Sequence, residues 1–355
     1  MTGQTDGAGI DFTSSLYLDL HHRPQDLPRW TSLTMGVPAA LRIAPASASV
    51  ARLVAHEHGV GAGLVARSTL HAVMDVLGTV PHPGDRILVD RASYPISRWA
   101  TLLPRFRGIP VSDFPHHRPE LANTTGGERI WFVTDGWCPG CNRPAPIPTL
   151  QQIASSTGGG VVVDDSLGYG ILGRRRVGDA FGDGSGTVHW CGTDHTSTIW
   201  VASFAKAYGT PLAVITGDAS TLETVAREGG NHMHSSPPSA ADVAAAASAL
   251  REPSRGRRRS RLLHNTLVLR RAYRDVGLTP IGLPFPVVTI VVPDRAQALR
   301  WWIELARTGM HTLLLRSRCG HGTLLSAVVR SKHTEAALHR LAEVLGTLNE
   351  REFAA

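Results

Sequence analysis

Apolar and polar positions along this 355-residue chain follow two rhythms. Short continuous apolar runs read as strands buried on both faces. Stretches with apolar residues three and four apart read as helices laid over them. Val50, Leu53 and Val54 mark one face of a helix reaching His58. An apolar approach from Gly63 to Ala66 ends at Arg67-Ser68-Thr69. Leu70, Val73, Met74 and Leu77 then predict an amphipathic helix that Ser68 or Thr69 is placed to cap. Asp85–Asp90 reads as a strand after a Pro-Gly turn, with Tyr94 just past its end and Pro95 restricting the backbone there. Arg129–Thr134 is another strand, ending at Asp135-Gly136. Val161–Val163, inside GGGVVVDD, is the most strand-like run and closes in Asp164 and Asp165. Thr198–Ser203 leads to Lys206, with a further apolar run from Leu212 to Ile215.

The later half continues in the same manner. Ser236-Pro237-Pro238-Ser239 opens an alanine-rich helix to Leu250, and a long helix is predicted over Leu262–Val276. Pro280–Pro286 reads as a linker. Phe285–Val292, a helix over Leu299–Thr308, Leu324–Val329 and a helix over Thr334–Leu348 make a compact α+β unit. Asp11–Leu20 is extended or irregular, and the Pro-containing stretch Leu27–Pro38 follows; neither can form a domain alone. The expected division is an N-terminal arm over 1–50, a large α/β domain over 51–276 and a small domain over 277–355.

Composition narrows the class. Hydrophobic residues at 42% and charged residues at 18% describe a globular chain with room for a large core. No apolar run is long enough to span a membrane and no secretory signal is visible. Four cysteines are too few for a disulfide-dense scaffold, so a cytoplasmic location is expected. The formal charge of +7 suggests nucleic acid until it is located: REPSRGRRRSR, from Arg251 to Arg261, holds six arginines in eleven residues. That run reads as a solvated surface segment, and no nucleic-acid partner is expected.

The strand ends carry the candidate chemistry. Lys206 sits in the small-residue turn SFAKAYG. A lysine there is either a surface lysine in a hairpin turn or the amine that holds pyridoxal 5'-phosphate as a Schiff base. That cofactor also needs a carboxylate for its pyridine nitrogen, a flat group over its ring and donors for its phosphate. Asp164, 42 residues before Lys206, is the carboxylate candidate. Tyr94 is the stacking candidate, Ser68 and Thr69 the phosphate donors, and Asp135 a possible further contact from a neighbouring strand end. Asp165 reads as an orienting or structural acid. Cys138 and Cys141 have the spacing of a metal or redox pair or of a shaped loop with unbridged thiols. A metal needs more ligands, for which Cys191, His189 and His195 are candidates in another loop; no metal site is assigned.

With these residues in place, the chain resembles the fold-type I pyridoxal phosphate enzymes of the aminotransferase class I/II superfamily. It is most similar to their α-oxoamine synthase (8-amino-7-oxononanoate synthase) branch. DFTSSLYLDL resembles that branch's N-terminal signature, VVVDDSLGYGILG its aspartate strand and Gly-x-Gly-x-x-Gly, and SFAKAYG its cofactor-lysine motif. The resemblance implies a large domain with a mostly parallel seven-stranded sheet and a small α+β C-terminal domain. It implies Asp164 as the pyridine aspartate, Lys206 as the Schiff-base lysine and Ser203 as a phosphate ligand. It implies also that Ser235 or Ser236 reaches the phosphate of a partner subunit, hence a homodimer; a local helix cap is the other reading of these serines.

Three positions depart from the branch. Tyr94 stands where it stacks a histidine, Leu167 where a second histidine meets the cofactor's phenolic oxygen, and Leu324 near its substrate-carboxylate arginine. Arg316 or Arg318 is the candidate replacement for that arginine. The implied activity is a transferase acting on an amino acid or amine through an external aldimine. Condensation with an acyl thioester stands first and transamination with an oxo acid second, ahead of a lyase, a racemase or a non-catalytic relative.

Overall fold

The computed structural model describes residues 9–22, 25, 32–37, 41–124, 126–320 and 322–353; half of the stretch from 27 to 38 lies outside them. The chain forms two compact units. One gathers the chain up to Asp19, Pro139–Arg143 and everything from Ser254 on; the other holds Leu20–Cys138 and Pro144–Pro253.

The larger unit is built on seven strands: β1 (Ala62–Ala66), β2 (Arg86–Asp90), β3 (Val111–Phe114), β4 (Ile130–Asp135), β5 (Gly160–Asp164), β6 (Thr198–Ser203) and β7 (Ala213–Gly217). Their order across the sheet is β1-β7-β6-β5-β4-β2-β3, and only β7 runs against the others. The mostly parallel sheet expected from the apolar runs is present. Such strands are apolar throughout because helices cover both faces. Helix α1 (Pro45–His58) starts on a proline at its first turn and stops at Gly59, whose left-handed φ of 69° lets its N–H close the last turn. Helix α2 (Thr69–Thr79) lays Ala72, Val73, Val76 and Leu77 against Ile87, Val89, Val133, Val162, Val201 and Ile215. Each such aliphatic side chain contributes about 1.5–3 kcal/mol on burial, so this face fixes where the start of α2 stands over the strand ends. Helix α3 (Pro95–Ala100) begins directly after Tyr94. Helix α4 (Ala240–Arg251) opens with a reciprocal capping box between Ser239 and Asp242, so the helix expected from Ser236 begins four residues later.

The smaller unit carries an antiparallel sheet of β8 (Val287–Val292), β9 (Leu313–Arg316) and β10 (Thr323–Val328), with helices α5 (Arg255–Asp275), α6 (Arg295–Arg307) and α7 (Glu335–Phe353). The arginine run is not a detached surface segment. It forms the first turns of α5, seven residues before the expected start at Leu262, and Arg258 donates to the carbonyls of Leu18 and Asp19 at 2.9 and 2.8 Å. Arg270, on the same helix, donates to the Ile281 and Gly282 carbonyls at 3.0 and 2.7 Å and so fastens the proline linker. Asp11–Leu20 is mostly irregular yet buries Phe12, Tyr17 and Leu18.

Candidate active site

The C-terminal ends of β4, β5 and β6 bring three charged groups together. Asp135 and Asp164 are register partners across β4 and β5. Lys206 follows β6 by three residues and is half-buried. Burial lowers its ammonium below the ordinary lysine range, while the charges of Asp164 and Asp135 pull it back up. The crevice outside the carboxyl ends of parallel strands is where open α/β sheets bind ligands.

Each group is held in place. The Ser166 N–H donates to Asp164 Oδ1 at 3.0 Å, and Ser166 Oγ accepts the Ser203 N–H at 2.9 Å. One serine, which sequence reading passed over, thus ties the ends of β5 and β6. Ser203 Oγ accepts the Ala205 N–H at 3.1 Å and shapes the turn into Lys206. Behind that turn Phe204 stacks on Tyr208 with ring centroids 4.8 Å apart, and Tyr208 packs on Tyr169, whose hydroxyl donates to Glu57 at 2.8 Å. His22 Nε2 meets the Tyr208 and Gly209 carbonyls, each at 3.2 Å. Nothing in the histidine pair at 21–22 signals this, because the contact spans nearly two hundred residues.

Asp165 points away from this crevice. It is fully buried, accepting the Thr187 N–H at 2.7 Å, the Thr187 hydroxyl at 2.5 Å and the Trp200 indole N–H at 3.0 Å. Burial nevertheless pushes its carboxyl up to about 6. Gly168 has no side chain because a Cβ there would collide with the Thr187 hydroxyl and the Asp165 carboxylate, and Gly170 needs its φ of 84° beside Ala207. Two of the glycines after the aspartate strand therefore serve the packing under the turn. Leu167, directly before Gly168, is half-buried.

The other expected residues fall around this core. The Tyr94 N–H donates to both Asp135 oxygens, at 3.1 and 2.9 Å, while its ring is 53% exposed. Ser68 caps α2: its Oγ accepts the His71 N–H at 3.3 Å and meets His71 Nδ1 at 2.9 Å; Thr69 is the first residue of the helix. Ser235 donates its hydroxyl to the Asn231 carbonyl at 2.6 Å, and the Ser236 carbonyl accepts from Arg67 at 3.3 Å. Asp75, a buried α2 carboxylate not singled out from the sequence, holds this segment through the Asn231 and His232 N–H groups at 2.8 and 2.7 Å. Arg316 and Arg318 belong to the smaller unit and are exposed; Leu324 is buried in β10.

The expectation that Cys191, His189 and His195 could complete a metal set with the cysteine pair is corrected. Among the described residues, the ligand atoms near Cys138 do not include theirs. His195 instead stacks on His58 with centroids 4.1 Å apart, and His189 packs edge-on against both. Cys191 Sγ lies 3.8 Å from the Ala145 carbonyl.

The match to the family described as "Aminotransferase class I and II" covers residues 46–345. The 8-amino-7-oxononanoate synthase of Acidithiobacillus ferrooxidans is 26% identical over 279 residues, 77% of this chain and 68% of that one. A serine palmitoyltransferase of S. paucimobilis, solved with PLP bound as a myriocin aldimine, superposes with a TM-score of 0.84 at 18% identity, covering 98% of this chain and 89% of that one. The 8-amino-7-oxononanoate synthase of Francisella tularensis superposes with a TM-score of 0.78 at 16% identity, covering 98% and 100%. These likenesses bear out the fold and the cofactor expected from the lysine and aspartate motifs. Among the described residues no helix is long and apolar enough to cross a membrane. The chain belongs to the aminotransferase class I and II family and is a pyridoxal phosphate-dependent transferase.

Proposed function

We propose that this enzyme joins the α-carbon of an amino acid to the acyl carbon of a thioester. A carbon–carbon bond forms, the carbon–sulfur bond breaks and the carboxylate leaves. Amino acid, thioester and one proton give an α-amino ketone, carbon dioxide and the free thiol. The observation that carries this reading is the half-buried Lys206 between the charges of Asp164 and Asp135, in a chain 26% identical to an 8-amino-7-oxononanoate synthase.

The donor set fits pyridoxal phosphate: an amine, a carboxylate, an aromatic side chain and hydroxyls stand at neighbouring strand ends. That cofactor, when bound, supplies the electron sink that acidifies the α-carbon. Lys206 is the amine that would hold it covalently and, when released, would carry the proton at the α-carbon. The burial that lowers its ammonium raises the share of neutral amine this step needs. Asp164 would keep a proton on the pyridine nitrogen, its carboxylate fixed by the Ser166 N–H. Ser68, Thr69 and Ser203 would donate to the phosphate, with the α2 N-terminus favouring the anion. Tyr94 would cover the ring, its backbone held by the two bonds from its N–H to Asp135. The same reading makes the enzyme a cytoplasmic homodimer in which Ser235 or Ser236 reaches the partner's phosphate. Four cysteines, none in a disulfide, support a reducing compartment.

Transamination is the second reading. Tyr94 and Leu167, neither able to act as the imidazoles they stand in for, favour it. Incubating the holoenzyme with an amino-acid panel, with and without acyl thioesters, separates the two. Thiol and carbon dioxide released in equal amounts, only when both substrates are present, support condensation. Conversion of the cofactor to its amino form with release of a 2-oxo acid, and no thiol, would replace condensation with transamination.

A further inference from the structure

Strands β5 and β6 run parallel, and their ladder can be followed rung by rung to the crevice. Asp164 is the register partner of Val201, and the Asp165 N–H donates to the Val201 carbonyl at 2.8 Å. In a parallel pair, a residue bonded in this way offers its own carbonyl to the N–H two residues further along the neighbouring strand. The next rung would therefore join the Asp165 carbonyl to the Ser203 N–H. That carbonyl is turned elsewhere. It accepts the Gly168 and Tyr169 N–H groups, both at 3.0 Å, and closes the turn that follows β5.

A side chain satisfies the Ser203 N–H instead. Ser166 Oγ accepts it at 2.9 Å and supplies the rung that the backbone gives up. Ser166 is itself buried, and its N–H donates to Asp164 Oδ1 at 3.0 Å. The two bonds of this one residue have different destinations. The backbone bond fixes the Asp164 carboxylate. The side-chain bond fixes the last residue of β6, three positions before Lys206. The second bond needs a hydroxyl oxygen: alanine would keep the N–H without the acceptor, and threonine would keep both. Asp164, Ser166, Ser203 and Lys206 all lie in the larger unit.

We propose that Ser166 is a positioning residue for the cofactor lysine: its hydroxyl oxygen closes the sheet where the lysine turn leaves it, and so holds Lys206 at a set depth beside Asp164. The proposal rests on the assignment of Lys206 and Asp164 above, though not on which reaction follows. Depth matters because burial is what lowers the Lys206 ammonium, against the charges of Asp164 and Asp135. Without the rung, the Ser203 N–H loses its partner and must find water, so the turn opens toward solvent. Desolvation at Lys206 is then relieved, and its ammonium gives up a proton less readily.

The test reads Lys206 in the full-length, cofactor-free protein. Its rate of acetylation by acetic anhydride, followed across pH by peptide mass spectrometry, reports the share of neutral amine. In Ser166→Ala the midpoint of that profile should move to higher pH, with the neutral share at neutral pH falling about 2–10-fold, the factor equivalent to one net hydrogen bond. Ser166→Thr, which restores the oxygen, should return the wild-type profile. Affinity for pyridoxal phosphate should follow the same order. A hydroxyl that only stabilised the fold would lower the urea midpoint of Ser166→Ala and leave the Lys206 profile where it was. An unshifted Ser166→Ala profile, or a Ser166→Thr profile that matches Ser166→Ala, overturns the proposal. Ser166→Cys, whose sulfur is a weak acceptor, supplies the same comparison where Ser166→Ala fails to fold. Failure of the underlying assignment shows separately, as borohydride-fixed cofactor on a wild-type peptide other than the one containing Lys206.

Discussion

Buried titratable groups gather in two parts of the large unit, and burial does different work in each. At the strand-end crevice, burial lowers Lys206 while the charges of Asp164 and Asp135 pull it back up. Around the segment leading into β6, the charges of Asp183 and Asp194 on His189 and of Asp194 on His195 are outweighed by burial and neighbouring cationic groups. His58 donates to or accepts from Thr216 at 2.9 Å, and His189 meets Ser185 Oγ at 2.9 Å and Arg174 at 2.8 Å. Burial first, then the neighbouring imidazoles for His58 and His195 and Arg174 for His189, lower all three. A group poised between burial and countercharge suits proton transfer. A group that burial and like neighbours both push toward neutrality suits packing, and it ties that packing to pH.

The largest expected effect breaks the crevice side of this comparison. Lys206→Ala should lower turnover by about a thousand-fold or more, the range for loss of a positioned proton carrier together with its covalent role. Borohydride reduction of the wild-type holoenzyme should attach the cofactor to the peptide containing Lys206, and the variant should show no covalent label. A labelled variant, or one with near wild-type turnover, would move the lysine role elsewhere.

The histidine side is tested next, by acid. Each of these imidazoles binds a proton more weakly in the folded chain than in the unfolded one. The stability they permit is therefore complete above the unfolded value near 6.5 and is lost as pH falls. For His195, whose folded value is driven down to about 3, the loss accumulates between about 6.5 and about 3. At pH 5 it alone amounts to about 2 kcal/mol relative to pH 7.5. Urea unfolding at the two pH values checks this. His195→Phe, which keeps a flat ring but cannot take a proton, should flatten the acid slope by about one proton. An unchanged slope would show that the stack titrates as exposed histidines do.

The two regions also differ in how far the sequence revealed them. The apolar runs made the parallel sheet legible, because a strand covered on both faces leaves no polar interruption to mislead. Lys206, Asp164 and Asp135 were legible for the same reason, since each stands where such a run stops. The histidine stack was not. His58, His189 and His195 are far apart in sequence, on a helix end, a short helix and a loop, and only folding makes them neighbours. For the same reason His189 and His195, weighed as further ligands for the cysteine pair, are not grouped with it among the described residues. Ser166 and Asp75 were missed because their work is to hold backbone N–H groups, which no side-chain pattern advertises. The arginine run is exposed at Arg251, Arg257 and Arg261, but charge alone does not reveal the carbonyls that Arg258 reaches.

The smallest expected effect separates two duties at one residue. Ser68 caps α2 through the His71 N–H, and it is also placed to meet the cofactor phosphate. Ser68→Ala removes both and should cost about 1 kcal/mol in urea unfolding of the cofactor-free protein, with weaker cofactor binding. That loss alone does not distinguish a cap from a ligand. Ser68→Asp does, because aspartate is as good a cap as serine but brings a negative charge to the place the phosphate would occupy. The cofactor-free Ser68→Asp protein should unfold at close to the wild-type urea concentration, while its affinity for pyridoxal phosphate falls below that of Ser68→Ala. Wild-type cofactor affinity in Ser68→Asp would leave Ser68 as a helix cap alone and place the phosphate seat elsewhere on the crevice edge.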